Sequence, residues 1–181
     1  SGEYTLVITN VPYLGRGQQS EPLRAFADSH YSDARSDLAT IFIERFMSST
    51  NGAATVAIVT PQNWLSLIRY KNLRENLLAQ RTWNQVARLG EHAFQSSSAA
   101  GAFAAMVILS SQRPQESWTM STIDVSAQRG QQPIYAVEKA TLLAISPLHA
   151  TKQANQLSNP DARIAISEIS GASLLGQYAG G

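Results

Sequence analysis

Two short apolar runs, joined by a helical pattern, constrain the fold of this chain more than any other feature. Tyr4 to Thr9 and Ala53 to Val59 are rich in β-branched side chains and apolar almost throughout. Such runs are typical of strands buried on both faces of a parallel sheet, and parallel strands need a long crossover between them. Ser36 to Met47 supplies a crossover helix, because its apolar residues fall on one face. The pattern predicts a layered α/β fold.

The rest of the chain continues this alternation. A helix start is predicted at Ser20-Glu21-Pro22, and two more helices are predicted at Leu67 to Gln80 and at Tyr135 to Ile145. Four more strands are predicted, namely Gln85 to Leu89, Ala104 to Leu109, an edge strand within Trp118 to Ala127 and a short strand at Ala162 to Ile166.

Composition excludes several kinds of site. The chain has no cysteine, which removes disulfides, thiolate zinc sites and cysteine nucleophiles. His30, His92 and His149 are too far apart in sequence for metal-ligand spacing, so no metal site is expected. The net charge is only +1. If DNA is the substrate, most of the surface that binds its phosphates should lie outside this chain. We expect a cytoplasmic protein without a membrane span, since apolar runs are far shorter than the ~20 residues a span requires.

The segment Asn10-Val11-Pro12-Tyr13 directly follows the first predicted strand. In open α/β sheets, ligands bind beyond the carboxyl ends of strands. The segment resembles the Asn-Pro-Pro-Tyr loop of amino-group methyltransferases. The resemblance implies that the Asn10 side chain and the Val11 carbonyl accept hydrogens from the amine to be methylated. It also implies that Tyr13 stacks on a flipped base.

Val11 departs from the family pattern, which usually has proline at this position. The carbonyl of Val11 is still available, and Pro12 biases Val11 to an extended conformation. The φ angle of Val11 is not locked, however, so we expect a less rigid loop that still supports catalysis.

The resemblance extends over about the first 110 residues and is closest to adenine-specific DNA methyltransferases of restriction and phage-defence systems. Leu14 to Gly17, Ser36 to Arg45 and Thr60 to Leu65 are similar to segments of that family in the same order. It implies a double-stranded DNA partner. The substrate-binding residues that it implies are Gly15, Arg16, Gln62, Asn63 and Trp64, although core packing is the commoner use of a tryptophan.

The family resemblance also implies the architecture and its boundaries. Residues 1–112 should form the C-terminal half of a Rossmann-like methyltransferase, a three-layer α/β/α sandwich with a mostly parallel sheet and an antiparallel last strand. Residues 113–181 should be an extension that leads toward a target-recognition domain outside the chain.

The methyl donor of the family is S-adenosylmethionine, bound by a glycine-rich turn that precedes the catalytic loop. Because nine residues precede Asn10, this turn should lie outside the chain. Gly15-Arg16-Gly17 lacks the third glycine and does not replace it. We expect Asn10 to be the contact of this chain with the donor, and the chain alone to be inactive and unable to bind it.

A chain cut at this point should leave Tyr4 to Thr9 as an unprotected edge strand, with self-association as one outcome. Two other functions stay open at this stage. The tetrapeptide is also compatible with methylation of a protein glutamine or of an RNA base amine, and the departure at Val11 is compatible with a catalytically silent interaction module.

Overall fold

The computed structural model of the protein describes residues 4–50, 54–96, 101–127 and 130–166. Their strands are β1 (Leu6–Asn10), β2 (Thr55–Pro61), β3 (Thr82–Gly90), β4 (Ala104–Ser110), β5 (Thr119–Asp124) and β6 (His149–Lys152). Their helices are α1 (Glu21–His30), α2 (Leu38–Ser49), α3 (Lys71–Gln80), α4 (Ala136–Ile145) and α5 (Gln153–Leu157).

The strands form one 6-stranded sheet in the order β1-β2-β4-β3-β5-β6. β1 and β2 are parallel, as are β3 and β5. β4 lies antiparallel between β2 and β3, and β6 is antiparallel to β5. β1, β2, β3 and β5 therefore run in one direction, whereas β4 and β6 run in the opposite direction. This mostly parallel sheet confirms the predicted fold class.

One face of the sheet carries the main core. Val56 and Ile58 of β2 lie in register with Leu109 and Val107 of β4, and all four side chains are buried. They belong to one cluster with buried residues of α2 and α3. Strand residues on this face alternate with residues on the other face, which explains why every second position of β2 is buried.

The opposite face is covered at one end. Leu142 and Leu143 of α4 pack there against a small cluster that includes Ala87 of β3 and Ile123 of β5. Toward β1 the same face is open, and Ile8 lines a shallow apolar groove of about 170 Å³. Among the described residues, helices therefore cover both faces of the sheet only at β3 and β5, and the three-layer arrangement is limited to that end.

β1 is an edge strand, as the sequence analysis predicts. Leu6 is 54% exposed and Ile8 75% exposed, although both belong to an apolar run. Within the described residues, β2 is its one paired neighbour. The expectation that β1 is buried on both faces is wrong, because no described strand pairs with its outer side and no described helix covers Leu6 and Ile8.

Three other predictions need correction. β5 is not an edge strand, because β6 pairs along its outer side. Residues 162–166 form no strand; they run on from a 3-10 turn (Pro160–Ala162), and the Ile164 N–H donates to the Leu65 carbonyl at 2.9 Å. The helix expected from Leu67 starts at Lys71, after a separate 3-10 turn (Ile68–Tyr70).

Buried polar side chains attach the last third of the described chain to the first. Arg74 of α3 is fully buried and donates to the carbonyls of Trp64, Leu67, Asp161 and Ala162 at 2.6–3.1 Å. Buried charge is tolerated when its donors are all directed at acceptors. Residues 160–162 are therefore fixed against the segment that follows β2.

Candidate active site at the carboxyl edge of the sheet

The parallel strands bring their carboxyl ends to one edge of the sheet. β1 ends at Asn10 and β2 at Pro61, while β3 and β5 end at Gly90 and Asp124. In open α/β sheets this edge is where ligands bind. All the loops that follow these strands can therefore contribute to one site.

The tetrapeptide at the end of β1 exposes hydrogen-bond acceptors and buries the side chain of Val11. Asn10 and Pro12 are exposed, whereas the Val11 side chain is buried in the main core. The Val11 N–H reaches the Val59 carbonyl at 3.5 Å, which extends the β1–β2 pairing by one weak bond. Within the described residues, no hydrogen bond takes up the Asn10 side chain or the Val11 carbonyl. Both acceptors are free for a ligand.

Tyr13 is held by an aromatic contact. Its ring meets that of Phe94 edge to face, with centroids 6.3 Å apart and an interplanar angle of 64°. The Tyr13 hydroxyl is shut off from solvent and has no hydrogen-bond partner. Burial, together with the nearby Asp37 carboxylate, raises the pKa of Tyr13 to about 12. The phenol is therefore neutral at physiological pH, and its ring keeps a fixed direction.

Phe94 was not among the predicted site residues. It follows β3 at the same edge, in the loop that leads to β4. A single aromatic residue in a loop carries no distinctive sequence signal, and its role depends on a contact across 81 positions of the chain, from 13 to 94.

The loop after Tyr13 is tied to the start of α2. The Arg16 N–H donates to the Ser36 carbonyl at 3.0 Å, and the Leu38 N–H donates to the Leu14 carbonyl at 2.9 Å. Asp37 caps α2 by accepting from the Ala39 N–H at 2.8 Å. Gly15 pairs with Asp37 in an isolated bridge, so the predicted residue Gly15 lies between the tetrapeptide and the helix cap.

Arg16 belongs to a small charged cluster on the surface. Its guanidinium lies 2.8 Å from one oxygen of Asp28, and the guanidinium of Arg35 lies 3.1 Å from the other. All three side chains are well exposed, so screening by solvent leaves these ion pairs little effect on stability. Two cations share one carboxylate, so this cluster of three side chains carries a net positive charge near the tetrapeptide.

The segment after β2 divides into surface and core residues. It forms a 3-10 turn (Gln62–Leu65) in which Asn63 is exposed and Gln62 half-buried. Trp64 is 1% exposed; its Nε1 donates to the Thr60 hydroxyl at 3.0 Å, and its ring packs on Trp83 at 5.5 Å. The assignment of Trp64 as a substrate contact is therefore corrected, because both faces of the indole are enclosed.

The described residues do not complete a pocket for a methyl donor. Asn10 lies at the end of edge strand β1, and no described strand pairs with β1 on its outer side. Gly15 has an extended backbone and begins a short 3-10 turn, unlike a glycine that lets a phosphate approach a helix. Among the described residues, Asn10 is the one that the family resemblance assigns to a donor contact.

Two classes of feature are not found in the part of the chain that the structure describes. No three or more acidic or histidine side chains are grouped so that they could hold a metal ion. No helix there has the length and apolarity to cross a membrane.

Comparison with known families matches the part of the chain that carries this site. Residues 1–94 match the model of the Eco57I restriction-modification methylase family. The chain is 35% identical over 95 residues to the adenine-specific methyltransferase PglX of Lacticaseibacillus casei (strain Zhang), which is 52% of this chain and 8% of that protein. It is 34% identical over 91 residues to the adenine-specific methyltransferase BrxX of Escherichia coli O9:H4 (strain HS), again 8% of that protein. The matched part of the chain thus spans about 8% of the length of these curated relatives.

The fold is shared with solved methyltransferase structures. The type I restriction-modification methyltransferase subunit from Streptococcus thermophilus superposes with a TM-score of 0.59 over 91% of this chain and 37% of that one, at 17% sequence identity. This likeness extends beyond residue 94, which agrees with the attachment of β5, β6 and α5 to the same sheet and core.

Proposed function

The chain belongs to the Eco57I restriction-modification methylase family, and on that basis we propose that it carries the catalytic loop of an enzyme that methylates the N6 amine of adenine in DNA. The observation that carries this proposal is the pair of free acceptors at Asn10 and Val11, at the carboxyl end of β1. The departure from the usual proline at Val11 leaves its carbonyl available.

The two acceptors suit the chemistry of an exocyclic amine. The lone pair of the adenine N6 is delocalised into the ring, which makes the amine a poor nucleophile. Acceptance of its two hydrogens by the Asn10 amide oxygen and the Val11 carbonyl favours a pyramidal nitrogen and localises the lone pair. Acceptors in this position stabilise the positive charge that develops as the nitrogen forms its new bond.

The aromatic pair at Tyr13 and Phe94 suits an unstacked base. A base that undergoes chemistry must leave the duplex, which costs a few kcal/mol. Stacking on an aromatic ring returns ~1–3 kcal/mol per base. The edge-to-face contact with Phe94 holds the Tyr13 ring so that its exposed part can receive the adenine. Both rings therefore reduce the cost of capturing the base.

The remaining predicted contacts surround this loop. Arg16 carries surplus positive charge next to the tetrapeptide and would meet a DNA phosphate. Gly15 is part of the backbone of the same loop, and Gln62 and Asn63 follow β2, the strand that pairs with β1. Because the net charge is only +1, and because the match covers 8% of PglX, we expect other parts of a longer enzyme to supply most of the DNA-binding surface.

The donor, S-adenosylmethionine, supplies an electrophilic methyl group when it is bound. Of this chain, Asn10 would contact it, and the rest of its pocket would come from residues outside the described ranges. A DNA-modifying enzyme of this kind would act in the cytoplasm, where bacterial DNA is found.

Transfer of a radioactive methyl group tests the proposal against its alternatives. The full-length enzyme that contains this chain would be incubated with labelled donor and, in parallel, with double-stranded DNA, total RNA and protein. Label in DNA that comigrates with N6-methyladenine supports the proposal. Label in RNA or in protein glutamine would contradict DNA methylation and support methylation of that substrate instead. No transfer to any substrate would indicate a catalytically silent interaction module.

A further inference from the structure

A second concavity lies at the same edge of the sheet, beside the tetrapeptide. It is an open cleft of about 530 Å³ at the ends of β2, β3 and β5. Its walls include Gln62, Arg88, His92 and Phe103, and they include no residue of the tetrapeptide. The cleft is therefore distinct from the site of the reacting amine, and its volume falls within the range that holds small organic ligands.

The cleft begins close to the ring that would hold the target adenine. His92 lines the cleft, and Phe94, two residues later, touches Tyr13. Two residues of chain span at most ~7 Å. The backbone of Phe94 therefore lies within ~7 Å of the backbone of His92, so the cleft adjoins the Tyr13–Phe94 pair.

Two polar groups at the cleft lack hydrogen-bond partners. They are the side-chain oxygen of Gln62 and the Nε of Arg88, both shielded from solvent. The rest of the Arg88 guanidinium is fixed, because Nη2 lies 2.7 Å from Asp124. An unsatisfied buried polar group costs ~1–3 kcal/mol, so a small rotation toward an incoming partner is favoured.

The chemistry of the cleft suits a base more than a phosphate. The charge of Arg88 is balanced by Asp124, and the carboxylate of Glu91 also lines the cleft. An amide with both a donor and an acceptor matches the paired groups on a base edge. Phe103 is 46% exposed at the rim and offers a ring on which a base can stack.

We propose that this cleft binds the nucleobase next to the target adenine, with the Gln62 amide reading its edge. This inference rests on the proposed function, because the neighbouring base is defined by the adenine at Tyr13. It assigns Gln62 a role in sequence preference at one position, apart from any target-recognition domain.

The test uses the full-length enzyme and a library of DNA duplexes with random bases on both sides of an adenine. Methylated adenines are located by sequencing, which gives the preference at each flanking position. Wild type is compared with Gln62→Ala and with the isosteric Gln62→Glu, which turns the amide into an acceptor only. Gln115→Ala is the matched control, because Gln115 is exposed and does not line the cleft.

Loss of a good base contact corresponds to roughly a tenfold change in preference. We expect Gln62→Ala to reduce the preference at one adjacent position by about that factor, and Gln62→Glu to change which base is preferred there. Gln115→Ala should reproduce the wild type. An unchanged preference in both Gln62 variants, or an equal loss of rate in every context, would overturn the inference while methylation itself persists. Absence of methylation in the wild type would instead contradict the proposed function.

Discussion

The ring of Tyr13 meets the ring of Phe94 edge to face, at 6.3 Å between centroids. This contact joins the loop after β1 to the loop after β3, so a residue outside the recognised tetrapeptide sets the direction of its aromatic side chain. The tetrapeptide is therefore positioned from two sides: by the burial of Val11 beneath it and by Phe94 beside it.

We expect Phe94→Ala in the full-length enzyme to weaken capture of the flipped base, because the Tyr13 ring loses the contact that orients it. Stacking on Tyr13 contributes ~1–3 kcal/mol in total, and Phe94→Ala should lose part of it, so the equilibrium for flipping should fall by roughly fivefold. Fluorescence of 2-aminopurine at the target position measures flipping. Phe26→Ala is the control, since Phe26 stacks on His30 instead. Equal flipping by Phe94→Ala and wild type would contradict the role of this contact.

We expect Tyr13→Phe to raise the free energy of unfolding of the chain by on the order of 1 kcal/mol, because it removes a buried hydroxyl without a partner. Denaturant titration at neutral pH measures the change. Tyr4→Phe is the control, because Tyr4 is exposed.

The same phenol should make stability sensitive to alkali. Burial, with a further contribution from Asp37, raises the pKa of Tyr13 from 10.0 to about 12, so the folded state favours the protonated form. Its contribution is fully present below pH 10 and is lost as the pH rises toward 12. This loss should be smaller in Tyr13→Phe. An identical decline of stability in wild type and variant between pH 10 and 12 would show that Tyr13 is not the group responsible.

Gly90→Ala should destabilise the fold by ~1–3 kcal/mol, which is the scale of a strained backbone conformation. Gly90 ends β3 with a φ of +68°, and an added Cβ would lie 2.7 Å from the Cβ of Ser126. Gly17→Ala is a matched control, because nothing lies within 4 Å of its added Cβ. A thermal melt in which both variants match the wild type would refute the close approach of β3 to the segment after β5.

The chain on its own should associate through β1. Its outer edge is unpaired in the described residues, and Ile8 is 75% exposed. Sedimentation should show a dimer fraction that rises with concentration in wild type and is lost in Ile8→Lys, since a charge blocks pairing at a strand edge. Val137→Lys, at an exposed position of α4, should still dimerise. A monomer at all concentrations, or a dimer that survives Ile8→Lys, would count against pairing at this edge.

The sequence predicts the parts of this fold that depend on local pattern. The sequence shows the apolar runs of β1 and β2 because their residues are contiguous. The tetrapeptide at the end of β1 is visible for the same reason. β6 was missed because His149–Lys152 has no apolar run, and its strand conformation comes from pairing with β5. The burial of Trp64 was not predictable either, since it depends on Trp83 in another strand.

The candidate site likewise combines residues that local sequence reveals with residues that only the fold brings together. Asn10 to Tyr13 are predicted as the catalytic loop from their resemblance to an Asn-Pro-Pro-Tyr loop, which is visible because the four residues are contiguous. Phe94 and the cleft at Gln62 could not be found from sequence, because they arise where the ends of separate strands meet at one edge of the sheet.

The central claim is that the Asn10 side chain acts on the amine of adenine in DNA. Its most direct test is the amount of N6-methyladenine, measured by mass spectrometry, in DNA treated with the full-length enzyme or with its Asn10→Ala variant. We expect N6-methyladenine with wild type and a loss of turnover of about 100-fold or more in Asn10→Ala, with DNA affinity nearly unchanged, because the acceptor acts on the reacting group. Equal amounts of N6-methyladenine from both proteins, or none from wild type, would contradict the claim.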